Sequence, residues 1–323
     1  MTMSYALADI DYLSSDKLLA GIVDNILTDS ELLQSLKFKP LTNKALDYNR
    51  ELTNPTATMH ARGDDWESSS LTFTPVSVSL KILGAQVDIL NSDIRTRSDT
   101  NDPVAIALAK ASKSMQRKFE QMAIYGNATT YPTDFNGLHA LVSTSDPDMD
   151  LFVGATASTR GTLTLRAMYE FVDMVLPGKP DAIIMNRAGR RLLSVWTQGA
   201  TSNLYKDTIN ALGRPVRTWD DIPIIICDHI TNTETVAGST FAQATGYTAC
   251  TSMFALKFGE ENNGIVGLDA KGGMEVQNDV GGKVLANKDA IRKRLVWETA
   301  LALYGNYSLA RLCGIDTSAA MTA

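Results

Sequence analysis

One stretch, Asp102 to Leu141, constrains this chain more than any other. Asn101 and Asp102 supply N-cap oxygens, and Pro103 suits a first helical turn, where a missing N–H costs nothing. Val104, Leu108, Ala111, Met115, Phe119 and Met122 then recur at steps of three and four, while Lys110, Lys113, Gln116, Arg117, Glu120 and Gln121 occupy the remaining faces. The spacing predicts a helix of about six turns, at 3.6 residues each, with one buried stripe. Gly126 and Asn127 tolerate left-handed dihedrals and are expected to end it. Thr129, Thr130, Pro132 and Asp134 form a loop that closes on the turn pair Asn136-Gly137 and hands over to Leu138, Leu141 and Val142.

The 323 residues are 44% hydrophobic, enough for a substantial core and, on size alone, roughly two domains. A net charge of -6 and a pI near 5.2 disfavour a basic nucleic-acid binder. Cys227, Cys250 and Cys313 lie far apart and make an odd count, which points to thiols of a cytoplasmic protein rather than a disulfide framework or a CxxC metal site. The N-terminus shows no basic segment followed by an apolar run, and no window approaches the roughly 18 apolar residues of a membrane span. The expectation is a soluble, unsecreted protein.

The first forty residues read as an arm carrying a helix. Ser14 or Ser15 can cap it, Asp16 favours its N-terminus, and Leu18, Leu19, Ile22, Val23, Ile26 and Leu27 build an apolar face. That face can pack on the core of its own chain or on a neighbour. A second short turn is expected around Asp29 to Leu36. From Tyr48 to Ile89 the pattern is a long twisted β-hairpin. Leu71 and Phe73 alternate with threonines, Val76, Val78, Leu80 and Ile82 carry the opposite parity, and Ala85, Val87 and Ile89 switch it back. The switches at Pro75 and Gly84 are expected to be bulges or bends. The tip, Asn54 to Ser70, holds Arg62, Gly63, Asp64, Asp65, Trp66 and Glu67 and is too polar for a core. It is either a solvated loop or, since a roughly 20-residue loop without structure is unusual in a compact domain, a functional one.

The middle third has α/β character. A helix with Leu165, Met168, Tyr169, Phe171, Val172 and Val175 ends at Pro177-Gly178, Ala182 to Met185 is a short buried strand, and Asn186 can cap a second helix carrying Leu192, Leu193, Val195 and Trp196. A third helix is expected from Asn203 to Leu212, then an almost continuous apolar strand from Ile222 to Cys227. The final third is β-rich, with strands at Ala249 to Phe258, Gly264 to Leu268 and Gly273 to Gln277. A last pair flanks Gly305-Asn306: Leu295, Trp297, Leu301 and Leu303 share one parity before it, and Tyr307, Leu309, Arg311, Cys313 and Ile315 after it.

Motifs that carry chemistry are sparse. Asp146, Asp148 and Asp150 imitate the start of a calcium loop, but Leu151 stands where that loop requires glycine and Ala157 where it requires glutamate. His60, His139 and His229 show no ligand spacing, and there is no GxGxxG, GxxxxGK[ST] or GxSxG. No catalytic residue, cofactor site or metal site is expected, and the protein is not read as an enzyme. Arg292, Lys293 and Arg294 form the densest basic run, with Arg190 and Arg191 next. They are either a solvated strand end and helix face or a contact with DNA or a neighbour's acidic loop.

The order of a long helix, Tyr125-Gly126-Asn127, a Pro-containing loop and Phe135-Asn136-Gly137-Leu138 resembles the spine helix and following loop of tailed-bacteriophage major capsid proteins, whose fold is shared with encapsulins and herpesvirus capsid floors. The strand at Ala182 to Met185 followed by Asn186 and a helix, and the run Ile222-Pro223-Ile224-Ile225-Ile226-Cys227-Asp228, are similar to pieces of that family's axial domain. The resemblance implies an α+β phage major capsid protein fold, with these divisions: an N-terminal arm with a helix, 1–47; an extended β-hairpin loop, 48–90; a peripheral domain, 91–160, with spine helix 102–126; an axial α/β domain, 161–270; and return strands, 271–323, completing the peripheral domain. It also implies a structural subunit that assembles with itself, as hexamers and pentamers, into an icosahedral virion shell around double-stranded DNA read without sequence specificity. Assembly would take place in the host cytoplasm, without a membrane and beside portal and decoration proteins. Some members carry a scaffolding region ahead of the arm; the short stretch before this hairpin suggests a separate scaffolding protein. In the family the arm and the extended loop lie across neighbouring subunits, so Leu19, Ile22 and Ile26 on the arm and Arg62, Asp64, Asp65, Trp66 and Glu67 on the tip become intersubunit contact candidates, with Arg292, Lys293 and Arg294 as candidates for DNA or a neighbour. The alternatives are an encapsulin-type compartment and an α/β enzyme with a mobile substrate loop at Asn54 to Ser70.

Overall fold

The structure is a computed structural model that describes residues 31–53, 56–65, 72–97, 103–142, 149–154, 160–199, 205–209, 215–234, 250–270, 273–278 and 289–322. The expected arm helix, the N-cap residues Asn101 and Asp102, and Asp146 and Asp148 lie outside the described residues.

The chain enters through α1 (Glu31–Ser35) and β1 (Phe38–Leu41), then runs up β2 (Ala45–Thr53) and back down β3 (Thr72–Ser79) into β4 (Lys81–Leu90). The parity switch falls at Leu80 and Lys81, not at Pro75 and Gly84. Val76, Val78 and Leu80 are half-buried, and so are Lys81, Leu83, Ala85 and Val87, which leaves Ile82 71% exposed. The reason is a change of partner. β3 pairs only with β2, in a two-stranded ribbon where Pro75 lies in register opposite Asn49, whereas β4 pairs with β13 (Ala290–Leu303) along its whole length. A one-residue slip between the two exchanges the buried face.

After α2 (Asn91–Arg97) comes the long helix α3 (Pro103–Tyr125), with Leu108, Ala111, Met115 and Phe119 buried as the spacing predicts, Val104 and Met122 half-buried at the ends of the stripe, and Ala123 and Ile124 buried beside it. Its ending has a different cause from the expected left-handed cap. A Cβ on Gly126 would sit 2.2 Å from the Phe135 carbonyl oxygen and one on Gly137 2.4 Å from that of Met122, and neither glycine has a positive φ. The two glycines let the loop fold back against the helix end, where the Gly137 N–H donates to the Gly126 carbonyl at 2.9 Å. Asn127 Oδ1 accepts from the Thr129 and Thr130 N–H groups, and Asn136 Oδ1 from that of Ala128, so the loop is held by its own asparagines before α4 (Leu138–Leu141).

Next come β5 (Asp150–Phe152), α5 (Leu165–Asp173), β6 (Ala182–Met185) and α6 (Arg187–Gly199). Asn186 caps α6 as expected, its Oδ1 accepting from the Gly189 N–H at 2.7 Å. The predicted third helix is instead a strand. β7 (Tyr205–Ile209) pairs antiparallel with β8 (Pro215–Trp219), which pairs with β9 (Ile222–Ile226). Tyr205, Thr208 and Ile209 are residues that suit a sheet, and pairing overrides a helical pattern only about three turns long. The remaining strands are β10 (Cys250–Leu256), β11 (Ile265–Ala270), β12 (Glu275–Asn278), β13 and β14 (Leu309–Asp316).

The strands form two main sheets. One has five strands, ordered β1-β11-β13-β12 with β4 on the other edge of β13, and α3 packs on one of its faces. Phe119 meets Trp297 with ring centroids 4.8 Å apart, and Phe38 and Phe135 close around it at 6.1 and 5.7 Å. The other has seven strands, ordered β5-β14-β10-β6-β9-β8-β7, with a second core of Met168, Phe171, Ile183, Leu193, Trp219 and Leu312. The expected return pair is therefore split: β13 lies under α3, while β14 belongs to the seven-stranded sheet. Thr299 to Leu303 are all buried, so the end of β13 has no solvent face on which β14 could continue a two-sided ribbon.

A buried polar network joins the two cores. Arg311 on β14 makes a bidentate ion pair with Asp150 on β5 at 2.8 and 2.5 Å, both side chains 2% exposed or less. Arg311 Nη1 also lies 3.2 Å from His139 Nδ1. A guanidinium only donates, so Nδ1 accepts and Nε2 carries the proton, facing Glu234 Oε1 at 3.3 Å. Glu234 further accepts from the hydroxyls of Tyr125, at 2.6 Å, and Ser252. Burial, then the adjacent Glu234 carboxylate, holds the Tyr125 hydroxyl far above its ordinary pKa.

Candidate intersubunit surfaces

The β2–β3 ribbon is fixed to the body at its base. Tyr48 Oη donates to the Leu303 carbonyl at 2.6 Å, and the Arg50 guanidinium donates to the carbonyls of Leu303 and Tyr304 at 2.6 and 3.0 Å. The Tyr48 ring packs on Tyr304 at 4.9 Å. These carbonyls end β13, where the ladder no longer satisfies them, so one cation closes the strand and anchors the hairpin. Burial raises the pKa of the Tyr48 hydroxyl, against the nearby Arg50 charge. Neither residue stands out in the sequence, because the acceptors lie about 250 positions away.

Above that base the hairpin opens to solvent. Residues 56–59 and 61–65 are exposed, Met59 completely so. A small turn organises the tip: Asp64 Oδ2 accepts from the Ala61 N–H at 2.6 Å, the Asp64 N–H donates back to the Ala61 carbonyl, and Gly63 takes φ +104°. The predicted contact residues Arg62, Asp64 and Asp65 all lie on this turn; Trp66, Glu67, Leu19, Ile22 and Ile26 lie outside the described residues.

Strand alternation separates the three residues of the basic run. Arg292 and Arg294 point to the face of the five-stranded sheet away from α3, where Arg292 forms a bidentate pair with Asp88 at 2.7 and 2.9 Å and Arg294 donates to Gln86 at 3.0 Å. Lys293 has the parity of Leu295 and Trp297, which pack toward α3. The row that sequence reading passed over as a polar helix face is Lys110, Lys113, Arg117 and Lys118 on α3, all exposed.

A reactive centre does not assemble from the described residues. A cleft of about 360 Å³ is lined by Glu31, Glu120, Arg187, Arg190, Cys227 and Asp228, but Arg187 pairs with Asp228 at 2.6 Å and Glu120 with His229 at 3.3 Å. Burial pushes the Cys227 thiol up to about 11, away from nucleophilic use. Among the described residues no group of three or more His, Cys, Asp and Glu could hold a metal ion, and no helix is long and apolar enough to cross a membrane.

Comparison with known proteins gives this arrangement a family. A family model described as SU10 major capsid protein matches residues 15–236, and one described as Type 2A encapsulin shell protein SrpI-like matches residues 178–313. No curated protein matches the chain. Among solved structures, the holo-SrpI encapsulin complex from Synechococcus elongatus PCC 7942 is similar with a TM-score of 0.66 at 17% identity, covering 92% of this chain and 91% of that one. The Cyanophage A-1(L) capsid asymmetric unit gives 0.61 at 13% identity, covering 88% and 92%, and Microbacterium phage Oxtober96 gives 0.58 at 14% identity, covering 88% and 90%. These likenesses show the fold: the α+β architecture that phage capsids share with encapsulin shells. Since the first family model spans well over half of the chain, this structural shell protein belongs to the SU10 major capsid protein family.

Proposed function

We propose that the chain is the major capsid subunit of a tailed bacteriophage, polymerising through hexamers and pentamers into an icosahedral shell around double-stranded DNA. In this reading the shell assembles in the host cytoplasm, with separate scaffolding, portal and decoration proteins as further partners. Residues 1–47 serve as arm and the β2–β3 ribbon as extended loop; α3 with the five-stranded sheet, β4 and β11 included, serves as peripheral domain, and the seven-stranded sheet, with β5 and β14, as axial domain. The observation that carries the reading is the hairpin. A two-stranded ribbon anchored at its base by Tyr48 and Arg50, with an exposed and internally braced tip, is shaped to be covered by something outside its own subunit. Arg62, Asp64, Asp65, Trp66 and Glu67 would meet a neighbour there, and Leu19, Ile22 and Ile26 would do so on the arm. Contacts of this kind, each weak, add up through repetition in a closed symmetric shell.

The experiment replaces residues 54–70 by a short Gly-Ser link. Packing within its own subunit would make the loss of Trp66 cost on the order of 3 kcal/mol or more. Reaching across to a neighbour predicts near-normal melting, because the shorter connection slightly lowers loop-closure entropy, together with no sedimenting particles. A collapsed melting temperature, or particles of normal size, would sink the proposal. The match to an encapsulin shell model over residues 178–313 favours one second reading, a compartment holding a cargo protein. Particles purified from native host cells that contain protein cargo and no nucleic acid would decide for it.

A further inference from the structure

We infer that the outer face of α3 is a binding surface for the phosphate backbone of double-stranded nucleic acid, and that this face therefore lines the inside of the shell. The inference rests on the reading above that the shell encloses DNA, and it assigns the site.

The helix carries Lys110, Lys113, Arg117 and Lys118 against a single acid, Glu120, in a chain whose net charge is -6. All four cations lie on exposed positions, interleaved with the small residues Ala109 and Ser114, while the opposite side of the helix is buried on the five-stranded sheet. At about 1.5 Å and about 100° per residue the four run roughly 12 Å along the helix and spread over roughly 140° of its outer side, a band of positive charge with no bulky group between its members. Glu120 borders the row, three residues from Arg117, and is engaged by His229 Nε2 at 3.3 Å. Among the described residues, Lys110, Arg117 and Lys118 form no ion pair.

The other side of the same layer is different. Cross-strand partners share a face, so the bare side of the sheet gathers Arg292 and Arg294 with Asp88, Gln86, Glu298, Glu275 and Gln277. Two arginines there meet three carboxylates, and Arg292 is already spent on Asp88. The layer of helix and sheet is thus electrically two-sided, with a net excess of positive charge on the helix side. A polyanion of regular charge spacing is the partner that fits such a row. It would be bound at its phosphates, through counterion release.

The test measures binding of fluorescent mixed-sequence DNA duplex to the full-length chain by anisotropy, from about 50 to 200 mM salt. Variants are Lys110→Gln/Arg117→Gln/Lys118→Gln on the helix and Arg292→Gln/Arg294→Gln on the sheet; glutamine keeps helix propensity, and a melting curve checks that each folds. The expected result is a wild-type slope of log K against log salt near about -3, at least tenfold weaker binding at low salt and a slope flattened by about 2 to 3 for the helix variant, and no change for the sheet variant. Absence of duplex binding by the wild type, wild-type behaviour of the helix variant, or loss on the sheet variant would overturn the inference. So would a face that binds polyglutamate but not duplex, which would mark an acidic protein segment as its partner. Negative-stain images of the same preparations decide separately whether shells form, so a failed binding site and a failed capsid reading are told apart.

Discussion

At the scale of single residues, the side chains that matter most for the body of the subunit are Arg311 and Asp150. Replacing a buried ion pair by apolar groups of similar volume is often neutral, whereas removing one partner strands a charge away from water. Arg311 is the centre of such an arrangement, with Asp150 on one side and His139, itself stacked on Tyr125 at 5.0 Å, on the other. Asp150→Asn is therefore expected to lower unfolding free energy by about 3 kcal/mol or more, while the double change Asp150→Leu/Arg311→Met recovers most of the loss. Denaturant titration of the unassembled subunit is the measurement. A single variant within about 1 kcal/mol of wild type would show that water or rearrangement relieves the stranded charge. The same burial explains why the three cysteines, all buried, behave as packing groups; Cys227 and Cys250 are both held near 11 by desolvation first of all.

At the scale of elements, the hairpin and β13 depend on each other. Arg50 satisfies the carbonyls of Leu303 and Tyr304 at the end of β13, while that end anchors the ribbon to the body through Tyr48 and Arg50. Hydrogen bonds of a charged donor contribute about 1.5–3 kcal/mol each when partly buried, so Arg50→Ala should loosen the base without unfolding the cores. The expected outcome is faster amide exchange in β2 and β3, a melting temperature shifted by only a few degrees, and a fall in particle yield. Unchanged protection of the ribbon in hydrogen-exchange mass spectrometry would refute this, because it would place the rigidity in the β2–β3 ladder alone. The parity switch at Leu80 and Lys81 belongs to the same scale: it is the point where the chain stops being ribbon and becomes sheet.

At the scale of the whole molecule, a family of shell-forming proteins and a subunit with projecting ribbon, two cores and a two-sided charge distribution point to one behaviour, closed assembly. Each subunit offers several separate surfaces, and closure makes every weak contact intramolecular to the shell. Concentrated wild-type protein, alone or with its co-expressed virion proteins, is expected to scatter light as large particles or rings. A stable monomer under all of those conditions would be incompatible with the function proposed above.

What the sequence determined by itself is what short-range periodicity and capping encode. The buried stripe of α3, the Asn186 cap, the apolar strand from Ile222 and the succession of late strands all follow from spacing and local hydrogen bonding. The exposed tip with Arg62, Asp64 and Asp65 was legible for the same reason: polar composition there permits no core. The tertiary structure alone decided which strands are partners. Asp88 finds Arg292 across 204 positions, β13 and β14 part into different sheets, and a short helical pattern yields to strand pairing at β7. It also decided which charges gather on one face. Three consecutive basic residues at 292–294 become a divided and partly neutralised group once alternate side chains take opposite faces, whereas cations spread over nine positions of α3 line up on one face because a helix returns every 3.6 residues. Charge close in sequence is not charge close in space, and only the packing of helix on sheet shows which side of the layer keeps it.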